Sequence, residues 1–418
     1  MTAIDTTDTT DTTGTALEEL YQDLHRNPEL AFGEHRTAGI IADRLRALGL
    51  DVVTGIAGTG VVGILENGEG PTVMLRADMD ALPVEEETGL AYASVARGVD
   101  AHGASVPVMH ACGHDVHVTC LIGAAERLVT TRAAWSGTVL ALFQPAEEGG
   151  GGAGAMVEDG LYDRIPRPDI VLGQHVSPLP AGSVGAHSGP AMAAADHLDV
   201  RMIGRGGHGS EPETTIDPVV MLAATVMRLQ TVVAREISAR ETAVVSVGSI
   251  NAGTKSNIIP SFGTLGITIR SFSEEVRERL LGSVERIIKA EALASGAPTE
   301  PEISYGVSYP VTVNDPEATA RLTDAFVRAF GAERTFDPGA IAGSEDVGVL
   351  ATAAGVPLVY WMLGGCDAAD YASSEKAGTL KTAVPSNHSP FYAPVMQPTI
   401  NTGVDALVVA AREWLARR

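Results

Sequence analysis

Short apolar runs alternate with helical stretches along the first half of the chain, and this alternation is the strongest constraint on its fold. Residues 72–75, 138–143 and 170–173 form apolar runs of strand length, and a fourth run follows at 358–363. Residues 116–129 carry apolar side chains at helical spacing, with Asp115 as the predicted N-cap. Strands that alternate with helices are typical of an α/β fold with a parallel portion in its sheet. The sequence therefore predicts a larger α/β domain with a mixed, partly parallel sheet flanked by helices.

A different pattern begins after about residue 193. The predicted elements run in the order β-α-β-β-α-β, which is the ferredoxin-like pattern. Their approximate positions are 198–203, 217–236, 243–250, 264–270, 273–295 and 302–305. We therefore predict an α+β domain at 194–307 that is inserted into the larger domain, which would comprise 16–193 and 308–418.

Length and charge narrow the class of protein. The chain has 418 residues, more than one core usually supports, which agrees with two domains. Residues 1–15 are rich in Thr and Asp and are predicted to form a disordered tail. The sequence has 29 Lys and Arg against 52 Asp and Glu, a formal net charge of −23. Such an acidic surface opposes binding to nucleic acids and to anionic membranes.

The cysteine count and the N-terminus indicate the compartment. Three cysteines in a chain of this length do not form a disulfide framework and fit a reducing environment. The N-terminus has no basic segment followed by an apolar one, so no signal peptide is predicted. No stretch is expected to be long and apolar enough to span a bilayer. We therefore expect a cytoplasmic location.

Three predicted strands are each followed directly by side chains that can bind a metal or carry a proton. Asp78 and Asp80 follow the first strand, Glu147 and Glu148 follow the second, and His175 follows the third. In open α/β sheets, ligands bind at the carboxyl ends of the strands. A solvated loop explains any one of these segments, but it is a poor explanation for all three.

A cysteine and two histidines outside these strand ends extend the pattern. Cys112 and His114 are joined by a glycine, which lets both side chains turn towards one ion. Thiolate and imidazole ligands favour a borderline metal such as Zn²⁺ over Mg²⁺ or Ca²⁺. His388 lies in a Pro-bounded loop and offers another imidazole. Each feature alone is weak, and a lone loop histidine is more often an ordinary surface residue. Together with Glu148 and His175, they favour a metal site.

The adjacent carboxylates of Glu147 and Glu148 need an explanation, because like charges repel and raise a pKa in a partly closed site. A metal ion bound to one of them would relieve this repulsion. The other would then lie near an activated water, take its proton and pass it to a leaving amine. An exposed acidic turn is the alternative explanation, but the pair directly follows a buried strand.

The same loop contains a competing motif. Gly149, Gly151 and Gly154 match the spacing of a dinucleotide-binding loop, and Asp169 lies at a suitable distance in sequence for a ribose contact. Two carboxylates just before the glycines would oppose a pyrophosphate, and the helix that follows is predicted to be short. An NAD-dependent oxidoreductase is therefore kept only as a more distant alternative.

Several sequence blocks occur in a fixed order from about residue 17 to the C-terminus. They are LHRNPEL at 24–30, RADMDALP at 76–83, HACGHDVH at 110–117, QPAEEG at 144–149, GQH at 173–175, GRGGH at 204–208, SED at 344–346 and NHSP at 387–390. As a set they resemble the metal-dependent aminoacylase/carboxypeptidase clan. The chain is most similar to its branch of N-acyl amino acid amidohydrolases, hippurate hydrolases and auxin-conjugate (IAA-amino acid) hydrolases.

The resemblance implies a site with two divalent metal ions, for which Zn²⁺ is favoured and Mn²⁺ or Co²⁺ are alternatives. The implied ligands are Cys112, His114, Glu148, His175 and His388. Glu147 would be the general base, and Asp80 would be a carboxylate that orients a ligand. Asp78 stands where other clan members place a metal-binding histidine, so it is left out of the ligand set.

The inserted domain would be the dimerisation or lid domain of the clan, so a homodimer or tetramer is expected. His208 would reach the active site of a neighbouring subunit and stabilise an oxyanion. Asn257 and Arg270 resemble the substrate clamp, since Arg suits a bidentate grip on a carboxylate. Without the resemblance, His208 would be explained as a glycine-turn histidine and Arg270 as a surface salt bridge.

The combined prediction is hydrolysis of the amide bond of small N-acyl amino acids, which releases a carboxylic acid and a free amino acid. The alternative within hydrolases is a dipeptidase or carboxypeptidase that acts on unblocked peptides. A non-catalytic binder of N-acyl amino acids is a further alternative. Departures from the family pattern at Glu211 and Glu213 and in the segment 366–385 bear on substrate preference rather than on the hydrolytic core.

Overall fold

The computed structural model describes residues 10–100 and 103–417. In chain order, the helices are α1 (Thr10–Arg26), α2 (His35–Ala47), α3 (His114–Thr130), α4 (Glu147–Gly150), α5 (Gly152–Glu158), α6 (Leu161–Arg164), α7 (Pro218–Glu236), α8 (Glu274–Ala294), α9 (Pro316–Phe330), α10 (Val347–Ala354), α11 (Ala368–Ala377), α12 (Leu380–Ala383) and α13 (Met396–Trp414).

The strands are mostly short. They are β1 (Asp51–Ile56), β2 (Gly60–Glu66), β3 (Thr72–Asp78), β4 (Arg97–Val99), β5 (Ser105–Pro107), β6 (Trp135–Ser136), β7 (Thr138–Gln144), β8 (Ile170–Pro180), β9 (Val184–Gly185), β10 (Gly189–Met192), β11 (Ala194–Ile203), β12 (Gly207–His208), β13 (Ala243–Ala252), β14 (Ile258–Ile259), β15 (Phe262–Ser271), β16 (Glu302–Tyr309), β17 (Thr312–Asn314), β18 (Thr335–Phe336), β19 (Leu358–Cys366) and β20 (Ala416–Arg417).

The chain divides into two compact units. Unit 1 runs up to Ala191 and also contains Val313–Gly339 and the chain from Asp346, whereas unit 2 comprises Met192–Thr312 and Ala340–Glu345. The predicted insertion at 194–307 lies inside unit 2, but the sequence did not indicate that Ala340–Glu345 belongs with it. Ala193 holds that segment, because its N–H donates to the carbonyls of Ile341 (3.1 Å) and Gly343 (3.0 Å). The roles of these units as catalytic, dimerisation or lid domains stay predictions.

Unit 1 is built on an eight-stranded sheet with the order β1-β2-β7-β3-β8-β19-β9-β18. The pairs β3–β7, β3–β8 and β8–β19 are parallel, whereas β1–β2 and β2–β7 are antiparallel. The four apolar runs of the sequence are β7, β3, β8 and β19, which are neighbours at the centre of the sheet. They are buried along most of their length, as continuous apolar strands should be. The predicted mixed, partly parallel sheet is therefore confirmed.

Helices α1, α3 and α13 pack against one another and α13 covers β19, and together they form the main core of unit 1. Gly123 allows α3 and α13 to approach closely, because a Cβ there would lie 2.7 Å from a methyl group of Val404. Helix α1 begins at Thr10, inside the segment predicted as a disordered tail. The rest of that prediction, residues 1–9, lies outside the described residues.

Unit 2 has the predicted ferredoxin-like fold. Its antiparallel sheet has the order β13-β15-β11-β16, and α7 and α8 pack on one face of it. Asp217 and Ser273 start these helices as side-chain N-caps, since they accept the N–H groups of Val219 and Val276. Side chains of β15 alternate between buried and partly exposed, which places one face of the strand in the core.

Helix α7 corrects one expectation from the sequence. It is long and apolar enough to cross a membrane by length and composition, so the prediction that no stretch would qualify is wrong. However, its Met221, Leu222, Leu229 and Val232 are buried in the core of unit 2. A core helix passes the same test, and α7 is therefore weak evidence for a membrane span.

Candidate metal centre

The loop that leads into α3 carries Cys112 and His114. Between them, Gly113 adopts a left-handed conformation (φ 81°) and is the N-cap of α3. A Cβ at this position would clash with the side chain of Val176, so the loop can approach β8 this closely only with a glycine there. The prediction of Asp115 as N-cap is wrong, because this residue lies in the first turn of the helix.

Cys112, His114 and His175 form the first group of candidate ligands. Their ligand atoms lie within 4.8 Å of one another, and Cys112 Sγ is 3.5 Å from His175 Nε2. Burial and the nearby His117 lower the pKa of His175 to about 3, so its imidazole is neutral, the form that binds metals. Its Nδ1 donates to the Val176 carbonyl (2.7 Å), which leaves Nε2 unprotonated and close to the sulfur.

Cys112 also belongs to a second group, with Glu148 and His388. His388 Nε2 lies 2.8 Å from Glu148 Oε1. His388 has a left-handed backbone (φ 70°), and its N–H donates to the carbonyl of Ala111 (2.8 Å). Asn387 Nδ2 donates to the Cys112 carbonyl (3.3 Å), which ties the two ligand-bearing loops together. The sulfur of Cys112 is thus common to both groups.

Glu147 and Glu148 form the first turn of α4, directly after β7. The Asp80 carboxylate accepts the N–H of Glu147 (3.1 Å) and of Glu148 (3.0 Å), and it lies 3.3 Å from His114 Nδ1. Ligand atoms of His114, Glu147 and Glu148 lie within 4.8 Å of one another, and Glu147 is only 5% exposed. Asp80 therefore supports both glutamates and one histidine, the geometry that an orienting carboxylate requires.

The donor atoms fit a divalent cation such as Zn²⁺. Tetrahedral Zn²⁺ with bonds of about 2.3 Å to sulfur and about 2.0–2.1 Å to nitrogen places the two donors roughly 3.5 Å apart. Cys112 Sγ and His175 Nε2 are 3.5 Å apart. Both ring nitrogens of His114 are buried without an aligned hydrogen bond to any described residue. Burial, Glu148 and Glu147 raise the pKa of the Cys112 thiol, so a thiolate there requires a neighbouring cation.

Asp78 and His117 adjoin the first group, although the predicted ligand set omits both. Asp78 Oδ1 accepts a hydrogen bond from His117 Nδ1 (2.5 Å), and its Oδ2 lies 3.5 Å from His114 Nε2. His117 Nε2 accepts the N–H of Val176, the residue after His175 (2.8 Å). These two side chains therefore connect β3 and α3 to Val176 of β8. The spacing of His114 and His117 on one helix face was a usable signal for the second histidine.

Carboxylates favour a positive charge at His114. Burial alone would lower the pKa of this histidine, but Asp78 and Asp80 raise it to about 10. Asp78 is itself ionised, because Arg76, His114 and His117 outweigh its burial and lower its pKa. The field at this position therefore attracts a proton or a metal ion.

The competing dinucleotide motif is not assembled by the fold. The glycine loop follows the carboxyl end of β7, whereas Asp169 lies at the amino ends of the strands, where its carboxylate accepts the N–H of Thr72 (2.8 Å). Strands of this length span about 20 Å, at about 3.3 Å per residue. Gly152 also packs on the Pro145 carbonyl with no room for a Cβ, so this glycine shapes the turn itself.

The predicted substrate residues of unit 2 fall into two separate places. His208 pairs with Ile258, and the N–H of Gly209 donates to the Asn257 carbonyl (2.9 Å), so His208 and Asn257 are neighbours. Arg270 lies near the far end of β15, a strand of ten residues that spans about 30 Å. Within one chain, therefore, Arg270 is not brought together with His208 and Asn257.

Arg270 is held at its end of the sheet by a neighbour from Ala340–Glu345, since its Nη1 donates to the hydroxyl of Ser344. Burial lowers the pKa of this guanidinium. A half-buried arginine bound to a neutral hydroxyl keeps its charge available for an anionic ligand.

Comparison with known proteins identifies the family. The model of peptidase family M20/M25/M40 matches residues 74–382. The chain belongs to peptidase family M20/M25/M40. This membership confirms the resemblance that the sequence blocks indicated.

Three similar proteins illustrate the range of this family. A hippurate hydrolase of Campylobacter jejuni subsp. jejuni is 38% identical over 334 residues, which cover 79% of this chain and 84% of the relative. A thermostable carboxypeptidase 2 of Saccharolobus solfataricus is 40% identical over 306 residues, which cover 72% and 75%. The crystal structure of a dinuclear metal-binding peptidase from Bacillus subtilis superposes with a TM-score of 0.74 at 27% identity, and the match covers 96% of this chain and 99% of that one.

Proposed function

We propose that the protein is a two-metal amidohydrolase that cleaves the amide bond of N-acyl amino acids. The observation that carries this proposal is the convergence of five donor residues in two groups that share Cys112, with Glu147 buried beside them. The hippurate hydrolase and dinuclear peptidase relatives support the same chemistry. Zn²⁺ is the proposed metal because of the sulfur donor, and Mn²⁺ and Co²⁺ are the alternatives to test.

Each group would hold one ion. Cys112, His114 and His175 would hold the first, and Cys112, Glu148 and His388 the second. Divalent ions bound there would polarise an amide carbonyl and lower the pKa of water towards about 7.

Glu147 would carry the proton. Its carboxylate is buried within 4.8 Å of ligand atoms of His114 and Glu148, and Asp80 holds its backbone N–H. From this position it can accept a proton from the attacking water and donate it to the departing amine. General acid–base catalysis of this kind contributes about 10²- to 10⁴-fold to a rate.

A free carboxylate on the leaving amino acid would be bound by Arg270. His208 and Asn257 lie near the other end of β15. This position supports a role for both residues in the active site of a second subunit. We therefore include a homodimer in the proposal, in which His208 stabilises the oxyanion in trans.

Unit 2 has a surface suited to a second copy. Val220 and Met227 are exposed on α7, and Ile250 is exposed on β13, which is an edge strand of the four-stranded sheet. Helix α7 contacts β13, so these apolar side chains lie on neighbouring elements. Exposed edge strands and apolar patches are common association sites.

An amine-release assay over a panel of acyl groups and amino acids, with metal analysis of the same sample, tests the activity. Glu147→Gln should lose turnover by about 10²-fold or more while two metal equivalents remain bound. Glu158→Gln, a change at an exposed glutamate of α5, is the matched control and should retain full activity. Near wild-type rates for Glu147→Gln would overturn its assignment as the base.

Mixed dimers test the trans role of His208. Glu147→Gln and His208→Ala homodimers should each be inactive, but a heterodimer of the two contains one site with both residues intact if His208 acts in trans. Recovered activity in the mixture supports the proposal. If His208 acts within its own chain, no site in the heterodimer is complete and activity does not return.

A carboxypeptidase is the second candidate function, because a relative with that name is 40% identical. It would share the metals and Glu147 but accept a peptide rather than a blocked amino acid. Parallel assays on N-acetyl amino acids and on unblocked dipeptides separate the two functions.

A cytoplasmic location is also part of the proposal. Three cysteines in 418 residues are too few for a disulfide framework, which supports a reducing compartment. Fractionation of producing cells would test it.

A further inference from the structure

Two positions with strained backbone adjoin the ligand groups of unit 1. Among the described residues, the non-glycine residues with positive φ are Phe32 (59°), Ala57 (51°), Ala146 (51°) and His388 (70°). Ala146 precedes Glu147, and His388 is a candidate ligand. Strained backbone of this kind persists only where the surroundings determine it, and it is common at functional sites. Phe32 is strained in the same way but has no role in the chemistry described above.

One buried carboxylate holds both Phe32 and Ala146. Glu34 Oε1 accepts the N–H of Phe32 (2.9 Å) and the N–H of Ala146 (2.9 Å). Its Oε2 accepts the hydroxyl of Thr59 (2.7 Å). The strained loop of Phe32 is therefore fixed to the residue that introduces the Glu147–Glu148 turn.

Neighbours of Phe32 pack on the residues that flank the catalytic carboxylates. Ala31 lies against Gly149, so closely that a Cβ on the glycine would clash with it. Leu30 forms a parallel bridge with Ala81, the residue after Asp80. The segment 30–34 thus packs against the residues that directly follow Asp80 and Glu148.

The ring of Phe32 is not buried by this arrangement. Phe32 is 44% exposed, although its backbone is strained and its loop is fixed by Glu34. An aromatic residue that serves only the fold would recover the cost of strain by burying its ring. The exposed ring, on a segment that packs beside the loops of Asp80 and Glu148, instead offers an apolar surface to a ligand.

We propose that Phe32 contacts the acyl group of the substrate and favours apolar acyl groups larger than acetyl, such as benzoyl or a long alkyl chain. This inference rests on the proposed amidohydrolase function. The carboxylate of the amino acid requires a cation, whereas the uncharged ring of Phe32 suits the acyl side of the scissile bond. A benzoyl group is as large as the ring it would cover, while an acetyl group is too small to do so.

Covering the exposed part of the ring, roughly 90 Å², at about 25 cal/mol per Å² corresponds to up to about 40-fold in kcat/KM. Wild type and Phe32→Ala should be compared on N-acetyl, N-benzoyl and N-dodecanoyl forms of one amino acid. We expect Phe32→Ala to lose on the order of 10-fold or more on the two large substrates and to change little on the acetyl substrate. Phe32→Tyr, which keeps the ring, should retain the selectivity of wild type.

The matched control is Leu293→Ala, which removes an apolar side chain that is 82% exposed on α8 and should leave selectivity unchanged. If Phe32→Ala fails to fold, Phe32→Gly serves in its place, because glycine adopts φ 59° without strain. Metal content and oligomeric state are measured for each variant.

Equal loss on all three substrates would overturn the proposal, because it would show a structural role. A change in oligomeric state with unchanged acyl selectivity would also overturn it, because the ring would then serve a subunit contact. Failure of the proposed function is distinguishable from both, since wild type itself would then release no amine from any of the three substrates.

Discussion

The stability of unit 1 should fall as the pH rises through the range in which His25 loses its proton. His25 Nδ1 lies 2.6 Å from Asp115 Oδ2, and its Nε2 lies 3.1 Å from Glu86 Oε1, with all three side chains buried. Burial alone would lower the pKa of His25, but the hydrogen bonds to Asp115 and Glu86 raise it from 6.5 to about 9. The histidine is therefore a buried cation between two carboxylates at neutral pH.

The size and direction of the effect follow from linkage between protonation and folding. A pKa that is raised from 6.5 to about 9 stabilises the folded state by about 3 kcal/mol, at about 1.4 kcal/mol per pKa unit. Because the folded state binds this proton more tightly, the stabilisation is fully present below about pH 6.5 and is lost as the pH rises through about 9.

His25→Gln tests this reasoning, because glutamine can donate a hydrogen bond but carries no charge. The free energy of unfolding is measured with urea in excess chelator. The difference in this free energy between wild type and variant should be about 3 kcal/mol larger at pH 6 than at pH 9.5 or above. His187→Gln is the matched control, since His187 pairs with Asp337 (2.8 Å) at an exposed position and should contribute only about 0–1 kcal/mol. If the difference in unfolding free energy between wild type and His25→Gln is the same at both pH values, the assignment of a buried imidazolium is refuted.

Three further predictions concern the site and the subunit contact. Gly113→Ala should reduce metal content and lower stability by about 1–3 kcal/mol, measured by metal analysis and thermal melting, because Ala would be strained at φ 81° and would clash with Val176. Asp80→Asn should weaken metal binding or activity by about 10- to 100-fold in a chelator competition and a rate assay, because it weakens the support of His114 and of the Glu147–Glu148 turn. Met227→Asp should shift the protein towards a monomer in sedimentation experiments and lower activity with it, because Met227 is 72% exposed on α7 and would meet an apolar partner surface.

The sheet and the ligand loops could be predicted because each depends on a local pattern. Buried strands require continuous apolar runs, and parallel strands bring their carboxyl ends to one edge. Glu148 follows β7, and His175 lies in β8. Their convergence could therefore be predicted from the strand assignment alone. Cys112 and His114 were recognisable because a glycine joins them.

Other features depend on contacts between residues far apart in sequence and could not be predicted in the same way. Asp115 was expected to cap α3, but His25 from α1 binds its carboxylate, and Gly113 starts the helix in a left-handed conformation. Asp78 gave no sequence signal for its contacts with His114 and His117, which exist only once α3 packs beside β3. The left-handed backbone of Phe32, whose N–H is bound by Glu34, is likewise not predictable from its residue type.

The electrostatics of the metal centre explain why its fold and its chemistry depend on the same interactions. Asp78, Asp80 and Glu147 are all buried, and Arg76 pairs with Asp78 at 2.7 Å. Buried carboxylates without sufficient positive charge are costly, and cations held by Cys112 and its partners would balance them. The same cations would draw the loop of His388 towards the loop of Cys112 and so help to maintain its strained backbone. A substitution that weakens metal binding should therefore also loosen these loops, so that loss of activity and loss of local order are expected together.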